Sequence, residues 1–408
     1  MKAHTDSNVH ALSAELLPVA AIFRPGFAGT SRAGGCVQAL RVIMIFVAVM
    51  VVTTAAAPAV PAAAQQAVTK DNPERVRLLK VALDHFNDKQ YDSAVTEFRK
   101  AYALDTTRIE VRYEMALAFA AKRTFDSAES ILREILPHPK AIDKYYQLLS
   151  NLRAEQDDTS GARMVIDDGI KRFPQSGRLH MERGMLYIQA RRLDEAADEF
   201  EEGIQVDPGY HMNYYWAARS YSQGSERIWT LLYGEVLMNV DPNPSRLSII
   251  SDLIYRMHMR TYEDFRTSNA MNYSLARKGS ADASAPVEVS FEDRFDELMT
   301  MGAAKLRFFQ DFEIPLLSID TMQTVFIKEW YKRGYDALYP NAAIERHKTL
   351  LDAGLHSSYV VYLMQFAKPL EAKAYFDANK KNYQRLLAWM KEHPFEMSTK
   401  NRFSRYMY

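Results

Sequence analysis

The chain has one cysteine in 408 residues, Cys36, and it lies ahead of the longest apolar run rather than after it. A lipid-anchored cysteine would follow such a run, so that arrangement excludes a lipoprotein. A product cleaved beyond Cys36 would have no disulfide, no thiolate metal ligand and no cysteine nucleophile. Prolines and glycines number only 16 each, and no long alternation of apolar and polar residues is bounded by hairpin turns, so the composition suits helices. An excess of one charge is also missing. Lys+Arg and Asp+Glu both count 51, which leaves no strong field to attract nucleic acid. Beyond the leader there is no H-E-x-x-H, G-x-S-x-G, phosphate loop or dinucleotide fingerprint. No catalytic residue, cofactor or metal is expected.

Residues 1–64 read as a leader. Arg41 precedes eleven apolar residues, Val42 to Val52, and small residues with two prolines follow, ending Ala62-Ala63-Ala64. A basic flank, a short apolar run and a small-residue site make a secretory signal, with cleavage expected after Ala64. The run is shorter than the roughly 20 residues of a comfortable membrane span. The alternative is an uncleaved anchor, the one membrane contact the sequence offers. Residues 65–74 read as a polar tether.

What the chain does have is a period. Ala94, Ala128, Ala162 and Ala196 stand 34 residues apart, a spacing that marks stacked repeats. With repeats begun at Arg75, Ile109, Asp143, Gly177 and His211, the eighth place holds Ala82, Ala116, Ser150, Gly184 and Ala218. The twentieth holds the four alanines and then Thr230. The twenty-fourth holds Phe98, Leu132, Ile166 and Phe200, with Gly234 breaking the set. Prolines recur at the thirty-second place as Pro174, Pro208 and Pro242. The pattern predicts two helices per repeat. Small residues at places eight and twenty let their axes approach to about 8–10 Å. Proline ends the second helix, and Asp88-Lys89-Gln90 and Asp157 to Gly161 supply turns between helices.

This register resembles the tetratricopeptide repeat, whose second helix is similar to residues 91–105 and 193–208. The fifth unit departs from it at Thr230 and Gly234, as a worn repeat or the start of a cap. The resemblance implies a concave groove lined by the first helix of each unit. Carried onto this chain, it places Leu79 and Leu83 there, then Tyr113 and Leu117, then Lys144, Gln147 and Asn151, then Met181 and Met185, and finally Tyr215 and Arg219. Methionine and tyrosine suit an irregular peptide or helix surface. For Leu79, Leu83 and Leu117 the competing reading is plain packing on a neighbouring helix. A lysine–asparagine clamp for a terminal carboxylate is not expected, because the fifth places are Leu, Tyr, Gln, Met and Tyr.

After Pro244 the apolar spacing of Leu247, Ile250, Leu253, Ile254 and Met257 predicts a helix over 245–264 packing on the fifth unit. Residues 75–264 are thus a repeat domain with a capping helix. Residues 265–290 read as a linker or loop, with a short strand at Val287-Glu288-Val289. Residues 291–408 read as an aromatic-rich helical domain of no recognised family. Its helices are expected near 291–311, 318–338, 341–354, 357–367 and 369–392, with Ser318 as an N-cap and Pro340 as a stop. Phe326, Trp330, Tyr331, Tyr335, Tyr339, Tyr359, Tyr362, Phe366 and Trp389 are too many for a solvated face and are expected in the core. Met257-His258-Met259 is the one soft-ligand cluster. Asp311 and Glu313 are a close carboxylate pair with no named partner.

The fold class expected is all-α, a tetratricopeptide-type α-solenoid followed by a helical domain. The function expected is an exported, non-enzymatic scaffold that binds a protein or peptide partner in the periplasm or cell envelope. The alternative makes residues 291–408 an enzyme or small-ligand domain with the repeats as adaptor.

Overall fold

The computed structural model describes residues 72–274, 290–306 and 313–408. The expected signal, the tether as far as residue 71, the strand at 287–289 and Asp311 lie outside the described residues. The chain divides into two compact units, Met1–Ala141 and Ile142–Tyr408. The second unit holds the third to fifth repeats together with the C-terminal helices. Among the described residues there is no strand, only a single antiparallel bridge between Glu226 and Ser274. No helix among them is long and apolar enough to cross a membrane.

The first unit holds two helical hairpins, α1 (Pro73–Asn87) with α2 (Tyr91–Ala103) and α3 (Ile109–Ala121) with α4 (Phe125–Ile135). The second continues the same motif in α5 (Asp143–Glu155), α6 (Thr159–Arg172), α7 (Gly177–Gln189), α8 (Leu193–Val206), α9 (Met212–Tyr221) and α10 (Arg227–Val240). The small residues do what the period predicts. Ala82, Ala116, Ser150, Ala218, Ala94, Ala128, Ala162, Ala196 and Thr230 are all 0–1% exposed, and Gly184 is buried with them. Where a hydroxyl stands in for a methyl group, it bonds straight across the hairpin. Ser150 Oγ donates to the Ala162 carbonyl at 3.1 Å, and Thr230 Oγ1 donates to the Ala218 carbonyl at 3.1 Å. Thus places eight and twenty face each other in both repeats, and the buried hydroxyl is satisfied.

The turn inside each of the first four repeats is one structure used four times. Lys89, Arg123, Asp157 and Arg191, all at place fifteen, adopt left-handed φ of 61°, 64°, 61° and 60°. The following N–H returns to the carbonyl five residues back, from Gln90 to His85, Thr124 to Phe119, Asp158 to Arg153 and Arg192 to Tyr187, at 2.8–2.9 Å. This closes the first helix and satisfies carbonyls its end would leave open.

The fifth unit is a complete hairpin, and its irregular glycine has a cause. A Cβ on Gly234 would stand 3.0 Å from Ile254 and 3.2 Å from Ile250. Both isoleucines belong to the capping helix α11 (Pro244–Ser268), so the cap supplies the bulk that place twenty-four lacks. Helix α11 starts where Asn243 Oδ1 accepts from Ser245 and Arg246 N–H at 3.0 and 3.2 Å. It runs four residues past the expected end. Just beyond it Met271 and Tyr273 are buried. Their N–H groups donate to Thr300 and Asp296, both at 2.8 Å.

The C-terminal helices are α12 (Phe291–Ala303), α13 (Leu316–Lys332), α14 (Tyr335–Leu338), α15 (Ala342–Asp352), α16 (His356–Leu363), α17 (Pro369–Ala378) and α18 (Lys380–Glu392). Several differ from expectation. Helix α12 is shorter. Pro315, not Ser318, precedes the first turn of α13, and its carbonyl accepts from Ser318 N–H at 2.9 Å. Gly334, left-handed at φ 72°, separates α13 from α14, and Asn379 separates α17 from α18. The chain leaves α14 just before Pro340, as expected. Of the aromatic residues, Phe326, Trp330 and Tyr359 are core, most of the others are half-buried, and Phe366 is 40% exposed.

The last residues return to the repeats. Phe403 is fully buried and stacks on Tyr233 of α10 at 5.9 Å, while Tyr408 stacks on Phe291 at 4.4 Å and on Trp229 at 6.0 Å. Between them the Arg405 guanidinium meets Asp198 at 2.8 Å and Glu226 at 3.1 Å. The backbone N–H of Arg405 donates to the buried Glu201 carboxyl at 3.2 Å, which also accepts from the Tyr221 and Tyr233 hydroxyls. Burial pushes Glu201 up to about 7.

Candidate functional site

The residues expected to line a groove fall into two groups. In the first unit Leu79 and Leu83 are half-buried, and Tyr113 and Leu117 are only 3% and 5% exposed. Helix α3 is apolar around most of its circumference, with Val111, Met115, Ala118 and Ala120 buried as well. Tyr113 and Leu117 are therefore packed, which for Leu117 is the competing reading given above.

In the second unit the first helices are α5, α7 and α9. Met181, Met185 and Tyr215 are 3–5% exposed and Lys144 is 9% exposed, so these four are also packed. Gln147, Asn151 and Arg219 remain half-exposed. Gln147 is tied at both ends of its amide to the next repeat. Its Nε2 donates to Glu182 Oε1 at 2.5 Å, and its Oε1 accepts from Arg178 Nη1 at 3.0 Å. Arg178 also lies 3.6 Å from the Asp143 carboxylate and over the Tyr210 ring at 5.2 Å. Arg219 Nη1 donates to the Tyr215 hydroxyl at 3.1 Å, and its guanidinium covers the Tyr215 and Trp216 rings at 5.4 and 5.0 Å. Stacking holds a guanidinium in place while leaving its edge free to donate.

Burial pushes the Glu182 carboxyl up to about 7, against the bond from Gln147 and the Arg178 charge, which pull it down. Burial likewise pushes the Tyr210 hydroxyl up to about 12. Sequence reasoning missed both Arg178 and Glu182. The available signal was Arg178 at the second place of its repeat and Glu182 between two methionines on a largely apolar helix. The resulting face carries stacked arginines and amides, backed by the buried Glu182 carboxyl. It offers hydrogen-bond donors to the carbonyls and carboxylates of an extended chain.

Chemistry elsewhere is accounted for by packing. His258 is 1% exposed, and its Nδ1 lies 2.9 Å from the Tyr273 hydroxyl; burial pushes the ring down to about 3. Glu313 is exposed and pairs with Lys368. Among the described residues no group of three or more His, Cys, Asp or Glu side chains is placed to hold a metal ion.

Residues 148–211 match the model of the tetratricopeptide repeat family, which agrees with the hairpin geometry: the repeats of this chain are tetratricopeptide repeats. Over 128 residues the chain is 23% identical to the human protein O-mannosyl-transferase TMTC1, a stretch that is 30% of this chain and 14% of that protein. The chain thus spans only a small part of the length of that curated relative. Among solved structures it is similar to TTC0263, a tetratricopeptide protein of Thermus thermophilus, at 16% identity and a TM-score of 0.36. That match covers 44% of this chain and 98% of that one. It is also similar to YrrB, described as a tetratricopeptide protein with an unusual peptide-binding site, at 16% identity and a TM-score of 0.29, covering 45% and 94%. Arrays of this type are generally non-enzymatic and serve protein–protein interaction, and this chain has that architecture.

Proposed function

We propose that the protein is an exported, non-enzymatic scaffold that holds an extended segment of another protein on the first-helix face of its third to fifth repeats, in the periplasm or cell envelope. The observation that carries the reading is the row formed by Gln147, Asn151, Arg178 and Arg219. These half-exposed polar side chains stand on three successive first helices; Gln147 is held by Glu182 and Arg178, and Arg219 lies over Tyr215 and Trp216. Export rests on the basic flank, apolar run and small-residue site before Gln65.

A photo-crosslinking residue at position 151 tests the face, with one at Met164, which is 67% exposed on the second helix α6, as the control. A discrete adduct from 151 and not 164, lost in a Gln147→Ala/Arg219→Ala variant, is expected. Adducts from 164 alone, or capture that the variant leaves unchanged, would overturn the site. Sequencing the N-terminus of the protein from its own cells is expected to begin at Gln65; an intact leader in the cytosol would overturn export.

The alternative, residues 291–408 as an enzyme or small-ligand domain with the repeats as adaptor, has one observation in its favour: two carboxylates and two histidines, Glu235, His347, His356 and Asp320, meet in a line of hydrogen bonds, three of the four from that segment. One of them, Glu235, comes from a repeat helix, and all four are bonded to one another. That arrangement favours a structural tie over a substrate site.

A further inference from the structure

Residues 403–408 lie against the repeats as a short peptide would. Within the segment, Met407 N–H donates to the Ser404 carbonyl at 3.0 Å and Tyr408 N–H to the Arg405 carbonyl at 3.4 Å. Across to the repeats, Arg405 N–H donates to Glu201 Oε2 at 3.2 Å and to the Tyr233 hydroxyl at 3.0 Å. The other ties are side chains. Phe403 stacks on Tyr233, Tyr408 stacks on Phe291, and the Tyr406 hydroxyl donates to Asp198 Oδ1 at 2.7 Å. The chain reaches this place through residues 393–402, which form no helix, and residues 398–401 are exposed.

The surface beneath the segment is held by contacts of the repeats themselves. Glu201 of α8 accepts from the hydroxyls of Tyr221 on α9 and Tyr233 on α10, at 2.9 and 2.7 Å. Tyr233 meets Tyr214 of α9 edge-on at 5.8 Å and lies 5.6 Å from Trp229. Thr230 ties the same hairpin together. The surface therefore has its shape from residues 198–233, before the segment arrives. Its charge is one-sided. Asp198 and Glu226 both pair with the Arg405 guanidinium, and the charge of Arg405 pulls the buried Glu201 carboxyl down against the rise that burial causes. Three carboxylates between two aromatic slots reject an acidic occupant and call for a cation.

We propose that this surface, on the second helices of the fourth and fifth repeats, is a peptide-docking site for an aromatic segment with an arginine at its centre, and that residues 403–408 occupy it as an exchangeable ligand of the same chain. It is separate from the first-helix face and does not depend on what that face binds. The tether keeps the segment at a high effective concentration, so a free competitor is shut out while the chain is intact. Aromatic rings supply area and the planar guanidinium supplies direction.

A specific protease site placed between Ser398 and Asn401 of the full chain tests the site. After cutting, the body is expected to keep its helical signal, and the released piece to exchange for a labelled peptide of residues 399–408. The uncut protein is expected to leave that peptide free. Arg405→Ala in the peptide is expected to weaken binding by more than about tenfold. Ser404→Ala removes a buried hydroxyl that has no hydrogen-bond partner and is expected to leave binding unchanged. A body that unfolds on losing the piece, a piece that does not exchange, or a peptide that loses no more from Arg405→Ala than from Ser404→Ala would overturn the proposal. A chain made to end at Arg402 gives a second reading. It is expected to fold, and its melting midpoint to rise with added peptide; failure to fold, or a midpoint indifferent to the peptide, would count equally against the site. The mass of the uncut protein in solution checks the remaining occupant: a dimer that Arg405→Glu splits would seat the segment in a second copy and overturn docking within one chain.

Discussion

A methyl group on Gly184 would lie 2.3 Å from the ring of Phe200. Place eight of the fourth repeat thus faces place twenty-four, and a phenyl ring sits opposite the smallest residue of its series. Phe200 is fully buried and also stacks against Trp216 at 6.5 Å, so it has little room to withdraw. Gly184→Ala is expected to lower stability by about 1–3 kcal/mol through overpacking, although alanine favours a helix by about 1 kcal/mol. Urea unfolding of the variant checks the sign, and Gly184→Ala combined with Phe200→Leu is expected to recover most of the loss.

The repeated left-handed turn can be relieved. Lys89 is exposed at φ 61°, a conformation that costs an L residue about 1–2 kcal/mol and costs glycine nothing in sterics. Against that stands the greater freedom of glycine in the unfolded chain, worth about 0.5–1 kcal/mol. Lys89→Gly is expected to gain about 0.5 kcal/mol and Lys89→Val to lose more than about 1 kcal/mol. Both are read from denaturant midpoints.

Glu182 makes stability depend on pH with a definite sign. Its folded carboxyl, held near 7 by burial, keeps its proton where the unfolded chain, near 4.5, has lost it. Its contribution is present below about 4.5, declines as pH rises to about 7, and stays low above. Glu182→Gln is expected to match the parent near pH 4 and exceed it by about 2 kcal/mol at pH 8. Melts at the two values test this; an equal difference at both would remove Glu182 as the source.

The repeats were legible because each buries its residues against its own hairpin and the next, so the same places recur at a fixed spacing. The alanines, Phe98, Leu132, Ile166 and the prolines all carried that signal. The groove was less legible. Met181, Met185, Tyr113 and Tyr215 occupy groove places by register, yet register says nothing of what else covers a side chain, and all four are buried. Gln147, Asn151 and Arg219 keep partial exposure, and Gln147 joins Arg178 and Glu182 across 31 and 35 residues.

By itself the sequence determined the helical class, the 34-residue hairpin and its two small-residue places, because those follow from contacts between near neighbours. Only the tertiary structure decided where Gly234 finds its missing bulk, why Phe403 and Tyr408 are buried, and which carboxylate His347 meets. The His347–Glu235 contact spans 112 positions, and Tyr408 meets Trp229 from still further along the chain. A lone histidine, a glycine or a terminal tyrosine carries no local pattern that names so distant a partner; packing in three dimensions is what selects it.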